Sequence, residues 1–77
     1  MMLTKERFAE IGTALHGAFW KRPLASALDN SVRTVERWAD GYDVIPPSVA
    51  GELATLCETR SSELTRLALE LRAANGR

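Results

Sequence analysis

Apolar residues recur three and four apart along most of this chain, the period of helices that bury one face. Phe8, Ile11 and Leu15 share such a face and predict a first helix over residues 4 to 17. Thr4 suits its N-cap, with Leu3 and Phe8 at the N′ and N4 positions of a hydrophobic staple. Gly17 suits a left-handed C-terminal cap. The connection "AFWKRP" carries Phe19 and Trp20, which are expected to cover the edge of the core. Pro23 fits the first turn of a short second helix, 23 to 29, because its missing N–H costs nothing there. Leu24, Ala25 and Leu28 form the inner face of that helix.

Asp29-Asn30 interrupts the pattern with two turn-forming residues. Ser31 then caps a third helix, 31 to 40, whose Val35 and Trp38 point to the core. Val32, Arg33, Glu36 and Arg37 lie on its other faces, and Gly41 ends it. In "GYDVIPP", Val44 and Ile45 are expected to anchor a loop, and the two prolines exclude regular structure before Pro47. From there, Leu53, Cys57, Arg60, Leu64, Leu67 and Leu71 follow a four-three-four-three-four spacing. That is a short heptad seam with one charged interruption. It predicts a nearly continuous last helix from about 47 to 73, with Ser61-Ser62 as its weak point and "NGR" as a frayed end. No strand alternation or hairpin dipeptide appears, so the expected class is all-α, with four to five helices in one domain over residues 1–77.

Size changes the picture. A chain of 77 residues buries little of its surface alone and is marginal as a monomer. The single cysteine, Cys57, excludes an internal disulfide, and with one histidine, His16, it cannot form a Cys/His zinc centre. Self-association through residues about 48 to 73 is therefore the expected source of added stability, with Leu53, Cys57, Leu64, Leu67 and Leu71 as the dimer interface. The lone cysteine fits a reducing cytoplasm. There is no signal-peptide pattern and no apolar run long enough to span a membrane.

Helices 23 to 29 and 31 to 40 are joined by a tight turn, and their apolar positions require Leu24, Ala25 and Leu28 to pack on Val35 and Trp38. The small Ala25 permits close approach of the two backbones. This describes a helix-turn-helix, whose second helix can enter the DNA major groove.

The stretch "PLASALDNSVRTVERWADG", with the pattern "LA…L…S.RTV.RW..G…IP" over residues 24 to 46, resembles the Cro/C1 (XRE-like) repressor family. The flanking segments resemble short phage and bacterial regulators of that family, including autorepressors encoded beside anti-CRISPR genes. The resemblance implies a transcriptional repressor of a phage or mobile element. It departs from the family at Asp29-Asn30, where a glycine followed by an apolar residue is usual.

The N-terminal part of a recognition helix meets base edges. Arg33 and Arg37, one turn apart, are candidate readers of guanine, and Val32 a candidate contact to a thymine methyl. The resemblance implies base reading from these same three positions. Ser31, Thr34, Tyr42 and Ser48 are candidates for phosphate contacts, with Lys21 and Arg22 before the second helix, whose N-terminus would suit a phosphate. Glu36 is a secondary candidate, able to orient an arginine or accept from cytosine.

Charge sharpens this expectation. The chain has 10 basic and 10 acidic residues. Residues 23 to 47 hold two bases against four acids, so the helix-turn-helix itself is acidic. Glu36, Asp40 and Asp43 should weaken non-specific DNA binding, which makes binding depend on dimerisation and on a few specific contacts. The expectation is a cytoplasmic homodimer that binds a palindromic operator in double-stranded DNA, without cofactor, metal, small-molecule ligand or membrane. An enzyme is not expected, since no nucleophile–base pair or glycine-rich phosphate loop appears. The alternatives are a protein-interaction module on the same fold, supported by the acidic segment, and an antitoxin, which would add a protein partner to DNA binding. In the plainest alternative, Arg33 and Arg37 are solvated surface residues or i,i+4 partners of acids.

Overall fold

A computed structural model of the chain describes residues 3–75. Four α-helices follow one another: α1 (Lys5–His16), α2 (Lys21–Ala27), α3 (Val32–Asp40) and α4 (Pro47–Asn75). The described residues contain no strand. The protein is thus all-α, with a short helix-turn-helix at its centre and a long C-terminal helix. Ser61-Ser62 does not interrupt α4, so the described residues hold four helices.

The helix ends follow from local chemistry. Thr4 caps α1 by accepting from the Arg7 N–H at 3.1 Å. Gly17 closes α1 with positive φ, but its ψ of −160° lies outside the left-handed helical region. α2 starts two residues earlier than Pro23, at Lys21, with Trp20 as an N-cap that supplies no side-chain hydrogen bond. Pro23 still lies in the first turn, where its missing N–H leaves no bond unmade. Asp29, at φ 55°, is the residue that turns left-handed between α2 and α3. Its N–H donates to Ser26 at 3.1 Å, and the Asn30 N–H reaches the Ala25 carbonyl at 2.9 Å. These two bonds are a Schellman closure made with aspartate where glycine is usual.

The core is built on aromatic edges. Phe8, Leu24 and Val35 are fully enclosed. The Phe8 ring meets Trp20 at 5.4 Å and Trp38 at 5.9 Å, both nearly perpendicular. Such T-shaped pairs add about 0.5–1.5 kcal/mol each beyond the area they bury. Gly12 of α1 is buried against the Trp20 ring, and a Cβ there would sit 2.6 Å from Trp20 Cδ2. Leu15, Ala25, Leu28, Ile45, Val49 and Leu53 complete the core, and Ile11 lies partly buried at its edge.

Three expectations are corrected. Phe19 does not cover the core edge: it is 90% exposed, while Trp20 alone turns inward. Val44 does not anchor the loop before α4: it lies exposed, and the adjacent Ile45 alone is buried in the core. Leu53 is not a free seam residue. At 2% exposure it belongs to the protein's own core, because the first half of α4 lies against the rest of the domain.

α4 changes environment along its length. Val49 and Leu53 are buried and Leu56 is partly buried. From Ser61 to Asn75 every residue is exposed. A helix of 29 residues is about 43 Å long, and the molecule measures 53 × 25 × 21 Å. The second half of α4 therefore projects from the domain. Leu64, Leu67 and Leu71 continue the face that Leu53 begins, now open to solvent. Cys57 is exposed as well.

Candidate nucleic-acid interface

α3 is held from one side only. Val35 and Trp38 are buried, with Val32 and Ala39 partly buried beside them. Arg33, Glu36 and Asp40 are exposed, and Arg37 is half-buried at the edge of the same outward face. The helix period causes this division, since residues 33, 36, 37 and 40 lie opposite 35 and 38. Val32, expected to face outward with the arginines, instead divides its surface between core and solvent.

The start of α3 is well determined. The Thr34 N–H donates to Ser31 Oγ at 3.1 Å, and the two hydroxyls lie 2.8 Å apart. Ser31 and Thr34 thus use hydrogen-bonding capacity on each other. The end of α3 is equally defined. Gly41 takes the left-handed conformation, and the Tyr42 N–H returns to the Arg37 carbonyl at 2.9 Å.

That turn brings together three residues. Arg37 Nε donates to Asp43 Oδ2 at 2.7 Å and its Nη2 to Oδ1 at 3.2 Å. The Arg37 guanidinium also lies over the Tyr42 ring, 5.5 Å from its centre. The hydrogen bond from Arg37 holds the Asp43 carboxyl below the usual carboxylate range, against a smaller opposing effect of desolvation. The same bond raises the Arg37 pKa further. In the sequence, Asp43 is legible only as a general negative charge. A separation of six residues matches no helical neighbour spacing, so the pair became visible only with the turn at Gly41.

The other candidates are more dispersed. Lys21 and Arg22 belong to the first turn of α2 rather than preceding it. The Lys21 ammonium sits 5.9 Å from the centre of the Trp20 ring. Arg22 is exposed, as are Glu36, Tyr42 and Ser48, the last at the second position of α4. Among the described residues, Arg33 makes no ion pair, and no ion pair joins Lys21 or Arg22 to the Arg37 group.

No family model matches this chain, and neither the curated proteins nor the solved structures include a significant match.

The seam residues also take defined places. Leu64, Leu67 and Leu71 are exposed on the projecting half of α4, with Cys57 nearer the domain. Arg60, the charged interruption, does not lie idle in the seam. Its Nη1 donates to the Leu15 carbonyl at 2.6 Å, joining α4 to the last turn of α1. Among the described residues, no group of three or more His, Cys, Asp or Glu is placed to hold a metal. No described helix is long and apolar enough to cross a membrane.

Proposed function

We propose that this protein is a homodimeric, sequence-specific DNA-binding transcriptional repressor of the Cro/C1 (XRE-like) type. The observation that carries the proposal is the outward face of α3. It presents Arg33 and Arg37 one turn apart on a helix whose opposite face is locked by Val35 and Trp38. A rigid helix with two outward arginines fits the major groove, where arginine bonds guanine O6 and N7. Val32 contributes the solvent-facing part of its side chain to a thymine methyl. Lys21, Arg22, Ser31, Thr34, Tyr42 and Ser48 supply contacts to the backbone, and Glu36 a secondary contact.

Dimerisation is the second part of the proposal. Leu64, Leu67 and Leu71 lie on one stripe of a helix that projects without a covering element. A second copy covers that stripe and presents a second α3 to the adjacent half-site, about 34 Å away. Bound across a promoter in the cytoplasm of its host, the dimer excludes polymerase by occupancy. An operator overlapping the promoter of its own operon makes it an autorepressor, as in the regulators of phages and mobile elements that it resembles.

One observation favours a different role. Glu36 and Asp40 share the outward face with the arginines, and Asp43 neutralises Arg37. Such a surface suits a protein partner with mixed charge, which describes an interaction module. Selection from random double-stranded DNA separates the two. A repressor enriches an inverted repeat; recovery of no enriched site removes the DNA-binding proposal and leaves the interaction module.

A further inference from the structure

Arg37 and its neighbours form a closed unit. The Arg37 carbonyl accepts from the Tyr42 N–H at 2.9 Å and from the Asp43 N–H at 3.4 Å. Those two residues in turn hold the Arg37 side chain, one by its ring and one by its carboxylate. The main chain of the arginine thus fixes the residues that fix its guanidinium. Gly41 makes this possible, since its left-handed conformation folds the chain back over the end of α3.

The way Asp43 binds matters. A guanidinium carries five N–H donors in a planar fork. Asp43 takes Nε and one N–H of Nη2, which form one side edge of the fork. The end edge, Nη1 together with the second N–H of Nη2, takes no part in this pair. Two parallel donors on that edge match the adjacent O6 and N7 acceptors of guanine. An acid on the side edge therefore leaves the reading edge free and restricts the rotation of the long side chain.

We infer that Asp43 is a positioning residue that presents the end edge of Arg37 to one guanine in the major groove and so sets base specificity at that position. This rests on the DNA-binding proposal above. Tyr42 supports the same posture from the face of the guanidinium. The acidic residue that counts against non-specific DNA binding thereby acquires a role in specific recognition. Its charge repels phosphates at every sequence, while its hydrogen bonds favour one base.

The test uses the full-length protein and an operator obtained by selection, together with all single base-pair changes of that operator. Binding is measured for wild type, Arg37→Ala, Asp43→Asn and the double variant, and the ratio of operator to changed site is read at each position. The pair is on the surface, and circular dichroism verifies that each variant is folded. In Asp43→Asn the discrimination at one G·C pair per half-site falls by about tenfold, within what a bidentate contact supplies. The affected pair is the one at which Arg37→Ala loses discrimination, and the double variant loses no more than Arg37→Ala. Non-specific affinity stays level or rises, because a negative charge has gone.

Wild-type discrimination retained by Asp43→Asn overturns the inference, as does an even loss across all positions. Tighter operator binding at unchanged selectivity also overturns it and makes Asp43 a mask over Arg37. If Arg37→Ala keeps full selectivity on a genuine operator, this inference falls while the repressor proposal stands. If wild type selects no DNA, both fall.

Discussion

Arg60 donates from Nη1 to the main-chain oxygen of Leu15, 2.6 Å away and 45 residues earlier in the chain. The bond joins the point where α4 leaves the domain to the last turn of α1. Carbonyls there lack helical partners and carry the negative end of the helix dipole, so a guanidinium is a favourable neighbour. Arg60→Met keeps the stem and removes the donor. It is expected to lower unfolding stability by about 1–2 kcal/mol, as for a charged hydrogen bond partly open to water. Urea denaturation measures this, and an unchanged midpoint would show that the bond is not a tie.

His16 sits beside this tie, half-buried, with a buried Nε2 that has no hydrogen-bond partner among the described residues. Burial lowers its pKa from the ordinary 6.5, and the Arg60 charge lowers it further. The folded state thus favours neutral His16, and below pH 6.5 the unfolded chain binds the proton first. Stability from this group is complete above that pH and is lost as pH falls, until the folded histidine protonates too. Melting temperature should drop between pH 7.5 and 5.5, and His16→Gln should flatten that part of the profile. A profile identical in the variant removes His16 as the cause.

Leu53 and Leu64 lie on one helical stripe and should behave oppositely. Leu53→Ala opens a cavity in the core and is expected to cost about 2–5 kcal/mol in folding stability. On the proposed dimer, Leu64→Glu or Leu67→Glu should leave the helix content intact and yield a monomer in sedimentation. A dimer that persists in both glutamate variants places the contact elsewhere.

Asp29 holds a left-handed conformation that costs an L-residue about 1–2 kcal/mol, less for aspartate than for most. Asp29→Gly relieves that strain while loosening the unfolded chain, for a net gain of about 0.5 kcal/mol. Asp29→Val should lose more than 1 kcal/mol, roughly, since branching at Cβ worsens the clash. Thermal unfolding of the two variants should move in opposite directions.

Gly12 faces the Trp20 ring, and even a methyl group there collides with it. Alanine would gain about 0.5–1 kcal/mol of helix propensity at an ordinary position. Here overpacking of about 1–3 kcal/mol outweighs it, so Gly12→Ala should destabilise. A stabilised variant would mean that Trp20 has room to move.

Much of this protein was legible in its sequence. Apolar spacing located the helices, and Thr4, Ser31 and Gly41 marked ends of α1 and α3 because capping depends on residues within a few positions. The same spacing placed Val35 and Trp38 inward and Arg33 outward, since a helix face is a local property. Tertiary structure decided the relationships between distant positions. It chose Trp20 over Phe19 for the core, enclosed Leu53 while leaving Leu64 open, tied Arg60 to Leu15 and folded Asp43 back onto Arg37. In each case the outcome depended on where other elements stop and turn, and the helical period carries no information about that.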